Sequence, residues 1–301
     1  MRHEPVLLSE VLDTLQLKPG SNVIDCTLGD GGHTEHILKA TAPDGRVLGI
    51  DADPESLMRA KQYLHSDEER MVFVRENFEH LGKIIAEAAF GPVHGILMDL
   101  GWSSPQFAER RRGFSFQNLD EPLDMRYTPN STLRTAAELI AASTTEELEE
   151  IFQIYGEESL SKEIATAIHT YEQGIDNTGD LVNIVLDVYR KKLKTDKEVP
   201  WIGGLHPATK VFQALRIAVN DEFGVIERAL PQAIEALEKG GRLGVISFHS
   251  GEDRIVKHYF KKQSQKKTLT ILTKKPIVAS EEEAEKNTRA RSAKLRVIEK
   301  I

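Results

Sequence analysis

Three aspartates, each closing a short apolar run, mark where this chain could do chemistry. Asp25 follows Val23 and Ile24 and leads into Gly29, Gly31 and Gly32, with His33 and Thr34 directly behind. Glycines there let the backbone turn sharply and bring a ligand against the main chain at a helix start. Asp51 ends a second apolar run, 22 residues after Gly29. A carboxylate in that place can accept from both hydroxyls of a ribose. A dinucleotide fingerprint would want glycine or alanine where Thr34 stands. A pyrophosphate needs that crowded approach, and a nucleoside without phosphates does not. The combination favours S-adenosylmethionine over a nicotinamide dinucleotide, which makes a dehydrogenase the weakest reading.

Asp99 ends a further apolar run and begins Asp99-Leu-Gly-Trp-Ser-Ser-Pro105-Gln106. There it could hold the amino group of a methionine moiety or the amine being methylated. An exocyclic base nitrogen is a poor nucleophile, because its lone pair is delocalised into the ring. Acceptors aimed at its N–H bonds draw it towards tetrahedral geometry and free that pair. A carboxylate with main-chain carbonyls at 100–102 would serve. Transfer from a sulfonium then needs little beyond in-line placement and exclusion of water. Asp25 has a simpler use, accepting N–H bonds of the glycine turn, and that use ranks above ligand contact. His33, just inside a helix start, is more often a structural hydrogen-bonder than a base, while its backbone N–H can face the cofactor's carboxylate. Phe78, after a third strand, either stacks near the adenine or packs in the core, and the two weigh equally.

Cys26 excludes one chemistry. Methylation at cytosine C5 uses a cysteine nucleophile in an active-site loop, whereas Cys26 sits inside the first strand and is expected to be buried and inert. The histidines lack the spacing of a zinc site, so no metal is expected. Trp102, Phe107, Phe114 and Phe116 interleave with Arg110, Arg111 and Arg112. Aromatics among arginines suit an unstacked base and its phosphates. A hinge loop packed on neighbouring helices explains them equally well.

The elements that must position these residues alternate. Expected strands cover 23–27, 47–51, 71–76 and 93–100. Expected helices cover 7–15, 34–40, 54–65 and 78–90, with Asp53 as N-cap before Pro54. Such alternation implies a parallel sheet with helices on both faces. Ligands on these sheets bind at the carboxyl ends of the strands, so Asp25, Asp51, Asn77/Phe78 and Asp99 should converge on one cleft. From 103 to 206 no strand pattern appears. Amphipathic helices are expected over 132–142, 146–155, 161–173 and 179–193, with Ser131, Thr145 and Thr178 as N-caps. The alternation then resumes with helices over 209–222 and 225–238, the second closed by Gly240-Gly241. Strand 242–248, helix 252–262, strand 268–273 and a short strand near 295–299 complete it. The acidic run 281–285 is expected to be a solvated loop. The fold class is therefore α/β, a Rossmann-like sheet with an inserted all-helical domain. The expected division is a first methyltransferase part over 1–105, the helical domain over 106–207 and a second methyltransferase part over 208–301.

At 301 residues and 40 % hydrophobic content the chain can bury a real core. No apolar run nears the length of a membrane span, the acid-bearing start is not a secretory signal, and one cysteine fits a reducing cytosol. A cytoplasmic protein is expected, with no membrane partner. The net charge of −8 seems to oppose a nucleic-acid partner, but it is unevenly spread. Residues 254–301 carry 14 Lys/Arg against 5 Asp/Glu, a net +9 that leaves −17 on the rest. A further basic cluster covers 190–194. Such clusters are usually solvated faces, so charge alone leaves the nucleic-acid reading open.

Taken together, the motifs resemble the bacterial RsmH (MraW) family of S-adenosylmethionine-dependent methyltransferases of small-subunit ribosomal RNA. The likeness runs through HEPVLLSEVL (3–12), DCTLGDGGHT (25–34), GILMDLGWSSPQ (95–106), RGFSF (112–116), PLDMR (122–126), ATKVFQALRIAVN (208–220), SFHSGEDRIVK (247–257) and RARSAKLRVIEK (289–300). Two departures stand out: Trp102 replaces a usual small apolar residue, and Gly251 replaces a usual leucine and is expected to loosen its loop. The resemblance implies methyl transfer to N4 of a cytosine in the decoding centre of 16S rRNA, in the P-site region. It implies cofactor contacts at Gly31, Gly32, His33, Asp51, Phe78, Asp99 and Gln106, the last being one that the residues alone did not suggest. Asp99 is the first choice as catalytic residue. Ser103, Ser104, Arg112, Asp124, Arg126 and His249 rank lower as substrate contacts. The implied partner is 16S rRNA within the small ribosomal subunit, and a homodimer is one state the sequence allows. The rivals are a methyltransferase of another substrate and an RNA-binding assembly factor that keeps the cofactor fold without turnover.

Overall fold

In the computed structural model, residues 5–100, 111–128, 132–199 and 201–301 are described. They divide into two compact units, one of residues 1–101 and 223–301 and the other of residues 102–222.

The first unit is built on a seven-stranded sheet in the order β3-β2-β1-β4-β5-β7-β6. Its strands are β1 (Val23–Asp25), β2 (Val47–Asp51), β3 (Met71–Arg75), β4 (Val93–Asp99), β5 (Leu237–Ser247), β6 (Leu269–Ile271) and β7 (Lys294–Lys300). The first five are parallel neighbours, and β7 runs antiparallel between β5 and β6. Successive strand residues face opposite sides, so both sides must be covered. Val23, Val47 and Leu97 pack with α1 (Leu8–Leu15), α2 (Gly32–Ala40) and α3 (Pro54–Tyr63). Ile24, Leu48, Ile96 and Met98 pack with α4 (Leu81–Glu87) and with buried residues of the later helices, among them Ile226, Leu230, Val256 and Phe260.

The second unit holds α5 (Ala136–Ala142), α6 (Thr145–Gly156), α7 (Ser161–His169), α8 (Thr178–Leu193) and α9 (Thr209–Asn220) around its own apolar core, in which Phe152, Ile164 and Leu181 are fully buried. Three helices begin in capping boxes: Thr135 with Glu138, Thr144 with Glu147, and Asn177 with Asp180. Each box satisfies two backbone N–H groups that the first helical turn leaves without partners.

Several expectations are corrected. Thr144 and Asn177 are the caps, each one residue before the expected Thr145 and Thr178, while Ser131 lies outside the described residues. The expected helix over 78–90 is a 3₁₀ turn at Phe78–His80 followed by α4. Gly240-Gly241 does not close the preceding helix. That helix, α10 (Glu222–Ala236), ends earlier, and both glycines fall inside β5. The acidic run forms α12 (Glu281–Lys286), capped by Ser280, after α11 (Ser250–Gln265). The largest revision concerns α9, which groups with the helical unit, so the second part of the sheet unit starts at Phe223 and not at residue 208.

Candidate cofactor site at the strand ends

Asp25 stands in register with Gly49 of β2 on one side and Leu97 of β4 on the other. Asp51 and Asp99 therefore end their strands two residues further along the same edge, and Asn77 and Phe78 follow Arg75, the partner of Asp51. The strand order reverses at the β1–β4 pair, the place where such sheets leave room for a ligand.

The chain beyond β1 is threaded between its neighbours. Cys26 N–H donates to Leu97 O and Leu28 N–H to Ile50 O, both at 2.9 Å, and Gly31 N–H closes the turn on Leu28 O at 2.8 Å. Gly29 and Gly31 have φ of +53° and +83°, the left-handed region that side chains resist. Gly31 is also the N-cap of α2. A Cβ on it would stand 2.9 Å from Leu64 Cδ1, and one on Gly32 would stand 3.0 Å from Pro5 Cγ.

Each carboxylate has work in this arrangement. Asp51 accepts from Gly29 N–H and Asp53 N–H, both at 2.8 Å, so the second strand end fixes the glycine turn of the first. Asp25 is buried and accepts from Thr34 Oγ1 at 2.7 Å and Thr27 N–H at 3.1 Å. Burial pushes its carboxyl above the ordinary value. The Thr34 and Thr27 bonds and nearby His33 oppose the rise, and the charge of Asp99 adds to it. Thr34, the residue that breaks the dinucleotide fingerprint, is thus the partner that holds Asp25. The Asp99 N–H donates to Thr27 Oγ1 at 2.7 Å. His33 is buried, with Nε2 2.9 Å from Val6 O and Nδ1 3.8 Å from Asp99 Oδ2. A carbonyl only accepts, so Nε2 carries a proton and Nδ1 is the edge turned to Asp99. Asp51 and Asp99 place acidic side chains beside the turn, on either side of the buried Asp25. That suits a cation such as a sulfonium better than a pyrophosphate.

Phe78 is half-buried against the sheet's core cluster. Cys26 is buried, and burial first and the charge of Asp25 second push its thiol well above the ordinary value, which leaves no thiolate for nucleophilic attack. His249 starts α11. There the buried Glu252 accepts from Phe248 N–H at 2.8 Å and His249 N–H at 3.3 Å, with Oε1 3.2 Å from His249 Nε2. Gly251 lies in the first turn of α11 and not in a loop, which corrects the expectation of a loosened loop. Phe223 occupies the space a side chain there would take and tilts onto the His249 ring, centroids 5.7 Å apart.

In the helical unit, Arg112, Asp124 and Arg126 lock one segment to itself. Arg112 Nη1 donates to Arg126 O at 2.8 Å and Tyr127 O at 3.1 Å. Arg126 grips Asp124 through Nε at 2.6 Å and Nη2 at 2.8 Å. Burial raises the Asp124 carboxyl, but the bonds and charge of Arg126 outweigh it and leave the group below its ordinary value. Asn220 at the end of α9 donates to Met125 O at 2.7 Å and accepts from Tyr127 N–H at 2.9 Å. Ser103, Ser104 and Gln106 lie outside the described residues, as do Trp102, Phe107 and Arg110. Thr27, which sequence reasoning passed over, ties Asp99 to the turn. Its signal was a hydroxyl two residues after Asp25. Val6, whose backbone carbonyl binds His33, gave none.

The sequence profile of a family described as the MraW methylase family matches residues 1–301. A relative from Heliobacterium modesticaldum (strain ATCC 51547 / Ice1), described as ribosomal RNA small subunit methyltransferase H, is 44 % identical over 99 % of this chain and 98 % of its own. One from Heliobacterium mobile with the same description is 43 % identical over 99 % of both chains. Among solved structures, an rRNA methylase from Streptococcus thermophilus aligns over 98 % of this chain and 92 % of its own, with a TM-score of 0.42 and 12 % identity.

Proposed function

Because the chain belongs to the MraW methylase family, we propose that it transfers a methyl group from S-adenosylmethionine to the exocyclic N4 of a cytosine in 16S rRNA. The target lies in the decoding centre, in the P-site region, and is met within the small ribosomal subunit in the cytoplasm. The observation that carries the reading is the set of strand-end carboxylates around the Gly29–Gly32 turn, where Asp51 accepts from Gly29 N–H and Asp25 holds Thr27 and Thr34 on either side of it. Family membership and the names of the relatives supply the substrate class.

The cofactor, when bound, supplies an electrophilic methyl on a sulfonium. Asp51 holds the ribose hydroxyls while its backbone bonds keep the turn in place. The main chain at Gly31, Gly32 and His33 faces the methionine end, Phe78 flanks the adenine, and Gln106 completes the contacts. Asp99 accepts an N–H bond of the target amine and directs its lone pair along the line of transfer. Only a weak acceptor is needed until the extra proton leaves the nitrogen. Arg112, Asp124 and Arg126 shape the segment that meets the RNA, and His249 at the start of α11 contacts the substrate, as do Ser103 and Ser104 by the family resemblance. The helical unit and the basic residues of 254–301 grip the RNA backbone.

Mass spectrometry of 16S rRNA nucleosides from cells with and without the protein tests this. The expected result is loss of one N4-methylcytidine, restored by the wild-type chain and not by Asp99→Ala. An unchanged nucleoside profile, or full restoration by Asp99→Ala, overturns it.

A further inference from the structure

The segment 5–7 joins two parts of the sheet unit that lie far apart in sequence. On one side it touches the glycine turn: His33 Nε2 bonds Val6 O at 2.9 Å, and Pro5 lies over Gly32. On the other side the Leu7 N–H donates to Glu283 Oε1 at 2.7 Å, across 276 residues. Leu7 is fully buried and adopts φ 54° and ψ 35°, a left-handed conformation that leucine does not choose unless its surroundings impose it. Glu283 is the half-buried member of an acidic run whose neighbours Glu281, Glu282 and Glu285 are exposed. Its helix α12 is itself tied down. Ser280 Oγ accepts from Glu283 N–H at 3.2 Å, and the preceding Ile277 exchanges two backbone bonds with Leu295 of β7 at 2.8 and 2.9 Å.

We propose that Glu283 is a positioning residue for the cofactor turn. It holds Leu7 in its left-handed conformation, which aims the Val6 carbonyl at His33. That carbonyl keeps the proton of the imidazole on Nε2 and turns Nδ1 towards Asp99. The inference rests on the reading of this turn as the S-adenosylmethionine site, and Glu283 touches neither cofactor nor substrate. Its chemistry requires only an acceptor of the right length. Glutamine should therefore replace it, whereas methionine, of similar length but without an acceptor oxygen, should not.

Two measurements on the full chain test this. Nitrogen-15 NMR reads the His33 ring, and calorimetry reads affinity for S-adenosylhomocysteine. In Glu283→Met we expect His33 to lose its uniform Nε2–H signature and the affinity to fall about five- to tenfold, the scale of one lost hydrogen bond. Glu283→Gln should match the wild type in both. In a His33→Ala background, Glu283→Met should change the affinity no further, because the route it acts through is already cut. An unchanged His33 signature in Glu283→Met, a Glu283→Gln variant as impaired as Glu283→Met, or full additivity with His33→Ala would each overturn the proposal. If the wild type does not bind S-adenosylhomocysteine at all, the cofactor reading fails, and the His33 signature still decides the role of Glu283.

Discussion

Replacing Gly31 by alanine sets two separable costs against the stability of the sheet unit. The first is conformational: at φ +83° an L-residue loses about 1–2 kcal/mol relative to glycine. The second is steric. The added carbon would meet Leu64 Cδ1 at 2.9 Å and Cγ at 3.2 Å, and Leu64 is only 2 % exposed, so its side chain cannot swing into solvent. Overpacking of that kind costs about 1–3 kcal/mol. Together these reach roughly 2–5 kcal/mol, a large share of the ~5–15 kcal/mol that usually holds a domain. For a unit of this size that predicts a fall in melting temperature of roughly 4–20 °C. Scanning calorimetry on wild type, Gly31→Ala, Leu64→Ala and the double variant separates the terms. Leu64→Ala alone should cost about 2–5 kcal/mol as a cavity. The double variant should be less damaged than the two singles combined, by about the steric term, because the clash partner is gone. A Gly31→Ala melt indistinguishable from wild type, or strict additivity, would refute the account of the turn.

Further outcomes follow from other contacts. Asp51→Ala removes the acceptor for Gly29 N–H and Asp53 N–H along with the proposed ribose contact. Affinity for S-adenosylhomocysteine, read by calorimetry, should fall about 100-fold or more, the scale of two charge-assisted bonds; an unchanged affinity would be decisive against it. Asp124 is held below its ordinary value of 3.8 in the folded chain. Its contribution to stability is therefore complete above that value and is lost as the pH falls through the lower folded value. Thermal melts of the wild type should drop in acid through that window, and the drop should be smaller in Arg126→Ala. Gly251→Leu would drive a side chain into Phe223 and towards His249, at a cost of about 1–3 kcal/mol. Pairing it with Phe223→Leu should recover most of that loss in a denaturant titration.

The strands and their order of use were legible because the apolar runs at 23–25, 47–51 and 93–99 are each closed by an aspartate, and that pattern survives whatever surrounds it. The position of α9 was not. Its amphipathic spacing is that of any helix packed on a core, and nothing local says which core. Its Val211, Phe212, Leu215 and Val219 are buried with Leu148, Phe152 and Ile164, and polar contacts accompany them: Asn220 to Met125 O and to Tyr127 N–H, and Arg216 with Glu222, which also accepts from Tyr127 Oη. Those partners lie up to 95 residues away in sequence. Gly240-Gly241 misled for a related reason. A glycine pair after a helical stretch reads as a cap, but the strand pairing of β4 with β5 takes up Leu237 and Arg242 on either side of it.

At the site, the sequence identified residue types and missed partners. In sequence Thr34 only spoils a phosphate fingerprint, and its positive use lies in the hydroxyl it donates to Asp25. His33 reads in sequence as more often a structural hydrogen-bonder than a base, and its buried bond to Val6 O is a structural one. The bond from Nε2 to Val6 O determines which ring edge meets Asp99, so the structural bond sets what the other nitrogen can do. A carboxylate in a run of four acids similarly looks solvated until one of them is found on a buried backbone N–H. Polar side chains in this chain take their roles from partners that the fold supplies at long range. Residues that resemble exposed charge or simple caps in one dimension can therefore govern the turn on which the proposed chemistry depends.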